Sequence, residues 1–400
     1  MAADVLSAHG IAVDLYDRMP SPARKLLIAG RGGLNLTHSE PLVPFLGRYA
    51  VPEAGKAIFE RALRAFPPEA LIAFAHGLGQ ETFVGSSGRV FPTAMKASPL
   101  LRAWLRRLAE RGVGLQSAHE WRGWTADGKL ELADLRAPGT PTRLVEAGAT
   151  ILALGGGSWP RLGSNGAWVD VLERAGVRTK PLAPSNCGVL VSWSAEFTAR
   201  HAGQPLKRIA IMCAGRTSRG EALITQSGLE GGAVYALSQS LRSELSTSGS
   251  CTIHIDLLPD VPLDELSRRL AGPRGKQSIA NVLRKTTKLS PAALALLSQS
   301  RAPRVDEPGA LAAKLKALPF EVRGLAGLER AISTAGGILF DEIDEHFMLR
   351  ARPGAFVAGE MLDWDAPTGG YLLQASFATA MAAAMGALRY LGVEAARRAS

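Results

Sequence analysis

Cysteine is scarce in this chain: Cys187, Cys213 and Cys251 are isolated thiols among 400 residues, with no CxxC pair. That excludes a disulfide scaffold and a zinc-finger arrangement, both of which need clustered ligands. The seven histidines are equally scattered and none forms HxxxH or HExxH, so no metal site is expected. No apolar run approaches the ~18 residues needed to span a bilayer. The opening residues lack the charged, apolar and small-residue regions of a signal peptide. The chain is therefore expected in the cytoplasm, with no membrane partner. Internal repeats and low-complexity tracts are missing too.

What is present begins with size and charge. Four hundred residues exceed one ordinary domain, so two are expected. Hydrophobic residues at 46% and charged residues at 20% suit a globular chain that buries a core. Lys and Arg (46) outnumber Asp and Glu (36), and the net charge of +10 asks for an anionic ligand or partner. The densest basic stretch is "RGKQSIANVLRKTTK", Arg274 to Lys288. It has no interleaved aromatics on which bases could stack. A solvated helix face is the first reading, and nucleic acid a minor alternative.

Strand-like apolar runs alternate with helical patterns, as in α/β folds. Ala2–Ala8 reads as a short helix stopped at His9-Gly10, and Ile11–Tyr16 as a strand ending on Asp17. "SPLLRAWLRRLAERG" carries Leu101, Leu105 and Leu108 at helical spacing, with Gly112 as its stop. "GVGLQSAHEW" reads as a strand and "GWTADGKLELADL" as a hairpin about Asp-Gly. "TRLVEAGATILALGGGSWP" supplies two strands, the second closing on three glycines, and a helix follows from Gly166 to about Ala175. Near Pro184 the texture turns strand-rich, then helical from Leu263 to about Leu318. After Gly327 the α/β texture returns. The pattern predicts a split α/β domain over 1–184 and 328–400, around an inserted α+β domain over 185–327.

The stretches that carry chemistry follow the same order. Asp17 ends a strand that follows a helix, where a dinucleotide fold holds a ribose hydroxyl. The glycine fingerprint paired with such an acid lies ~20 residues earlier, and counting back from Asp17 passes Met1. The phosphate loop and its strand are thus expected upstream of this sequence, and a chain without them is expected to retain little dinucleotide. A peripheral strand of another α/β fold is the competing possibility. In "ARKLLIAGRGGLNLTH", Gly30, Gly32 and Gly33 would let backbone amides approach a ligand. Lys25 and Arg31 add cations for phosphate, and Asn35 and Thr37 short polar contacts. A plain turn competes here. "ATILALGGGSWPRLGSNG" sets glycines at the carboxyl end of a strand, where α/β sheets bind ligands. Gly155 and Gly156 could run beside a dinucleotide or simply bend the chain. In "GAFVAGEMLDWDAPTGGYLLQASFATA" a strand delivers Gly359 and Glu360, an acid able to hold a sugar-alcohol hydroxyl. Gly369-Gly370 then open a long helix whose free amides face whatever lies above the strand ends. A flavin fits there, because reduction puts negative charge on its N1/C2=O edge and a helix N-terminus stabilises that charge.

In this order the stretches resemble the bacterial flavoprotein family that includes aminoacetone oxidase-like and bile-acid reductase-like (BaiN/YhiN-type) oxidoreductases. The resemblance covers essentially the whole chain. "ARKLLIAGRGGLNLTHSE" is similar to its Lys-Leu-(x)-(x)-Gly-Gly-Gly-Arg-Cys-Asn-(x)-Thr stretch, and "GSSGRVFP" (Gly85 to Pro92) to its Gly-Arg-(x)-Phe-Pro element. "STAGGILFDEID" and "AGEMLDWDAPTGGYLLQ" resemble its closing pair. The resemblance implies FAD in a two-part Rossmann-like domain, with an inserted substrate-side domain. It also implies an oxidoreductase that passes hydride through flavin N5 to or from a small organic substrate.

On matching positions the resemblance implies Asp17 at the adenosine ribose, the Trp121 backbone along the adenine and Gly155-Gly156 behind the dinucleotide. Glu360 would meet the ribityl chain, and Gly370, Tyr371 and Leu372 the isoalloxazine. Arg31, Asn35 and Tyr371 are the substrate-side candidates. "SGLEGGAVYALS" (Ser227 to Ser238) would start a helix over the substrate face or form a turn. Three departures stand out. Leu34 replaces a Cys found in many members, which excludes a thiol role there. Gln226 stands where many have His, and the family's opening strand and Gly-x-Gly-x-x-Gly do not precede "MAADVL". No second dinucleotide fingerprint is present, so NAD(P)H, if it is the donor, would bind transiently. Two further readings stay open: a cofactor-poor remnant acting as a binding or scaffold protein, and a nucleic-acid-associated flavoprotein that uses the basic stretch.

Overall fold

The computed structural model describes residues 1–30, 32–137, 139–273, 277–300, 303 and 305–393. The chain divides into two compact units, Met1–Ala183 with Ser333–Ser400, and Pro184–Ile332.

Parallel strand pairs organise the first unit. Asp14–Asp17 runs parallel to Gly114–Ser117, with Asp14 opposite Gly114 and Asp17 opposite Ser117. The strand is shorter than its apolar run, and Ile11 to Val13 lie outside it. The stretch "GVGLQSAHEW", expected as one strand, forms two, Gly114–Ser117 and His119–Trp124. The break falls at Ala118, whose φ of 56° is left-handed and incompatible with an extended ladder. His119–Trp124 then turns back through Asp127-Gly128 onto Leu130–Asp134. Thr150–Leu152 pairs in parallel with Ala355–Val357, so one ladder joins the two ends of the unit. The strands Thr179–Ser185 and Ser333–Ile338 also pair with each other, and the second is wholly buried.

Helix Tyr371–Tyr390 fills the middle of this unit. Ala375, Ala378, Ala383, Ala384 and Ala387 are fully buried. Their small side chains let helices Ala2–Ala8 and Glu53–Ala65 pack against it. Its buried polar groups are spoken for: Thr379 Oγ1 donates to Ala375 O at 2.7 Å and accepts from Gly359 N at 2.9 Å. By length and hydropathy this helix is apolar enough to cross a membrane, which corrects the expectation from apolar runs alone. Gln374, Ser376 and Thr379 interrupt the run without lowering its average much. With 67% of the apolar window buried inside the unit, it is a core helix.

The second unit is a seven-stranded sheet. Its order is Leu318–Val322, Cys251–Asp256, Pro205–Cys213, Arg216–Ile224, Gly228–Glu230, Val189–Leu190 and Gly324–Leu325. The helical stretch after Leu263 resolves into Leu263–Leu270, Ile279–Thr287, Pro291–Gln299 and Pro308–Lys316. Ser278, Ser290 and Glu307 start the last three, each side chain accepting a backbone N–H of the first turn. Leu318 already belongs to the sheet. Within "SGLEGGAVYALS" the chain forms the strand Gly228–Glu230 and a one-turn helix, Gly232–Tyr235. Cys213 and Cys251, isolated in the sequence, meet through a hydrogen bond on neighbouring strands. Burial pushes the Cys251 thiol up to about 12, so it stays protonated at neutral pH. Of the basic stretch, Arg274, Gly275 and Lys276 lie outside the described residues.

Proteolysis checks this division of exposure. Residues 139–142 are exposed and outside any strand, whereas the connecting strands Thr179–Ser185 and Ser333–Ile338 are paired. Proteinase K is expected to cut first within 139–142, read by fragment mass. First cuts inside either connecting strand would contradict the pairing.

Candidate cofactor site

A turn after strand Ala355–Val357 places Glu360 at a four-way junction in the first unit. Glu360 Oε2 accepts from Lys25 Nζ at 2.5 Å and from Gly156 N at 3.3 Å, while Oε1 accepts from Thr334 N at 2.9 Å. Lys25 Nζ also donates to Ser158 Oγ at 2.7 Å. Thr334 Oγ1 in turn accepts from the amides of Gly157 and Ser158 at 2.9 and 3.1 Å. The Lys25 and Glu360 side chains are 28% and 13% exposed, so the pair is largely out of water. Sequence considerations assign Glu360 to a sugar hydroxyl and Lys25 to a phosphate; the structure pairs them with each other. Glycine at 156 is required by packing, because a Cβ there would lie 2.4 Å from Thr334 Oγ1.

The strand-end acid is also engaged locally. Asp17 Oδ1 accepts from Met19 N at 2.8 Å and Oδ2 from Ala23 N at 3.3 Å, which closes the loop that follows. Around it, Tyr16 Oη, Arg18 Nε, Trp121 Nε1 and Ser164 Oγ are buried without a hydrogen-bond partner. The Ser164 hydroxyl lies 3.1 Å from where a Gly155 side chain would begin, and Gly155 takes a φ of 73°.

At the other end, Gly369 (φ 124°) and Gly370 (φ 101°) bring helix Tyr371–Tyr390 in at a steep angle, and no side chain caps its start. A Cβ on Gly370 would fall 2.6 Å from the Cα, C and O of Thr37. Thr37 is fully buried and its Oγ1 has no partner; Asn35 Oδ1 and Gln374 Oε1 are likewise buried and unmet. Tyr371 Oη donates to Glu40 Oε1 at 2.5 Å, and Arg48 grips the same carboxylate through Nη2 at 2.8 Å and Nε at 3.1 Å. The Arg48 bond holds the Glu40 carboxyl below the usual range. Burial, then the bond to Glu40, pushes the Tyr371 phenol far up, so it is a neutral donor. Its ring stacks on His38 at 5.4 Å, and Tyr49 Oη donates to its carbonyl at 2.8 Å.

Sequence considerations miss Glu40, Arg48 and His38. Their one sequence signal is adjacency to the "GGLNLTHSE" stretch, since Glu40 and Tyr371 stand 331 positions apart. Of the glycines before them, Gly30 is needed against Ala97, 2.9 Å from its missing Cβ, and Gly33 (φ 111°) against the Met95 methyl. Only Gly32 borders open space. Arg31 lies outside the described residues. Leu372 is half-buried in the first helical turn, and its carbonyl accepts from Ser376 Oγ.

These parts join into one seam. The Arg18–Met19 side chains meet the Gly163 turn, Ser164 meets Gly155, and Gly156 leads through Thr334 and Glu360 to Lys25. Helix Arg24–Ala29 continues to Gly32 and Thr37, which abuts Gly370. Buried polar groups are normally satisfied. Unmet polar groups at the Trp121 end and at the Thr37 end fit a long ligand with polar groups at both ends, as FAD is.

Comparisons with known proteins agree. The family model described as "HI0933-like protein Rossmann domain" matches residues 1–386. A 3-dehydro-bile acid delta(4,6)-reductase of Clostridium scindens is 24% identical over 390 residues, 92% of this chain and 90% of that protein. The crystal structure of 3-ketosteroid delta1-dehydrogenase from Sterolibacterium denitrificans superimposes with a TM-score of 0.52 at 12% identity, covering 96% of each chain. At that identity the superposition speaks for the fold alone. The chain belongs to the HI0933-like family, and with it to the Rossmann-domain, FAD-binding oxidoreductases.

Proposed function

We propose that this protein moves hydride between flavin N5 and a small organic substrate, with the first unit as its FAD domain and the second governing substrate choice. The observation that carries this reading is the uncapped helix start behind Gly369-Gly370, pressed against the backbone of Thr37, whose buried hydroxyl has no partner. When bound, FAD supplies a two-electron carrier whose reduced N1/C2=O edge is anionic. A helix start beside that edge stabilises it by ~0.3–1 kcal/mol, up to about 2 when partly buried. Asp17 and the Trp121 backbone would hold the adenosine half, with Gly155-Gly156 behind the dinucleotide. The Lys25–Glu360 junction and Gly359 would border its middle. Gly32, Asn35, Thr37, Gly370, Tyr371 and Leu372 would surround the ring. Tyr371, locked onto Glu40, offers a fixed apolar face that excludes water. The bile-acid reductase named above supports an apolar substrate, and NAD(P)H is the proposed transient donor.

Protein purified from the cells that make it is expected to release FAD, close to one per chain, on denaturation. Its flavin should bleach anaerobically on mixing with NADH or NADPH. Flavin-free protein would replace this reading with a cofactor-poor binding protein.

A further inference from the structure

We propose that the start of helix Ser238–Ser248, in the second unit, is a binding site for a phosphomonoester group. Every part of it belongs to that unit, so it stands whether or not the flavin reading does. The local chain explains why donors collect there. The one-turn helix Gly232–Tyr235 ends in a turn in which Leu237 N donates to Val234 O at 3.0 Å. The longer helix then begins with Leu241 N donating to Leu237 O at 2.9 Å. The amides of Ser238, Gln239 and Ser240 fall in the gap between the two, and no side chain caps them. Among the described residues none of the three meets an acceptor.

Ser238 makes this gap more than a bare helix end. It is 4% exposed, and its Oγ is buried without a hydrogen-bond partner. A Cβ on a helix leans toward the N-terminus, which sets this hydroxyl beside the open amides. Buried hydroxyls are costly unless something meets them. Arg242 follows four positions later on the same face, and its side chain leans back over the first turn. Its Nη1 donates to Pro184 O at 3.4 Å, which ties the guanidinium to the chain entering the unit. The helix has 11 residues, so its peptide dipoles add positive potential at the same end. The unit also carries most of the chain's net positive charge. Gly232, Ala236 and Gln239 are exposed, so a solute can reach the gap. Three amides, a hydroxyl and a guanidinium suit the three terminal oxygens of a phosphomonoester better than the two of a carboxylate.

The test titrates inorganic phosphate into the purified protein by calorimetry, against chloride at equal ionic strength, and follows thermal melting. Phosphate is expected to bind saturably and to raise the melting temperature, where chloride does neither. Ser238→Ala removes one charge-assisted bond and should weaken phosphate roughly ten- to a hundredfold. In phosphate-free buffer the same variant should melt no lower than wild type, because the hydroxyl it loses had no partner. Ser238→Cys, which keeps the bulk, should behave likewise. Adenosine 2′-phosphate separates the two sources of the group. Binding tighter than that of phosphate, and lost in Ser238→Ala, assigns the site to the 2′-phosphate by which NADPH differs from NADH. Equal or weaker binding assigns it to free phosphate. The proposal is overturned if chloride matches phosphate, or if Ser238→Ala binds phosphate as wild type does. A lower melting temperature of both Ser238 variants without phosphate would also overturn it, by giving the hydroxyl a structural partner.

Discussion

Gly370→Ala is expected to destabilise the first unit by about 2–5 kcal/mol and to strip it of flavin. A left-handed φ of 101° costs an alanine ~1–2 kcal/mol. The new methyl would also stand 2.6 Å from three backbone atoms of Thr37. Backbone cannot rotate aside as a side chain can, so the helix start must move, and overpacking of this kind adds ~1–3 kcal/mol. The uncapped amides would be displaced from the position where the flavin edge is proposed to lie. Gly369→Ala is the control. Its φ of 124° is as strained, but its nearest neighbours are the Arg89 side chain and the Tyr371 ring, both at 3.4 Å, an ordinary contact distance that forces nothing to move. Urea denaturation and the FAD content of both variants decide the point. Equal stability of the two would mean that the close approach of Gly370 to Thr37 contributes nothing.

Glu360→Ala has the second largest expected effect. It leaves the Lys25 ammonium without its counter-ion and the Thr334 and Gly156 amides without their acceptor. A broken buried pair costs ~3–5 kcal/mol. With Lys25 28% exposed, water recovers part of this, so about 2–3 kcal/mol is expected. FAD should bind roughly ten- to a hundredfold more weakly, because the loop 155–158 loses its brace. A double-mutant cycle with Lys25→Met should show a coupling on the order of 1–2 kcal/mol. FAD loss with unchanged stability would instead make Glu360 a direct ligand with no part in the junction.

These two positions also mark what can be read from residue order. A glycine pair ahead of a long apolar helix is a local signal, so the helix start and its neighbours Tyr371 and Leu372 were visible. An acid after a buried strand is equally local, and Glu360 stood out. Its partner did not, because nothing near Lys25 says that its ammonium meets a carboxylate 335 positions away. Gly30 and Gly33 looked like ligand loops because their need for a missing side chain shows only once Ala97 and Met95 are in place. The four-way division of the helical stretch was available in principle. Ser278, Ser290 and Glu307 are helix-start residues, and Pro291 and Pro308 follow the last two. Glu40 and Arg48 carry no motif of their own, and their meaning comes from where the glycine turn lands.

The ladder between Thr150–Leu152 and Ala355–Val357 sets the timing of the protein's birth. At ~5–20 residues per second, the first strand waits on the order of 10–40 s for the second to be synthesised. In that interval the whole second unit, contiguous in the chain, leaves the ribosome and can fold. The first 183 residues meanwhile lack the helix that buries their alanine-facing surfaces, and Phe45, Phe59 and Leu63 stay open to solvent or to a chaperone. The insert can therefore mature before the domain that surrounds it, whose core closes only after synthesis has passed Tyr390.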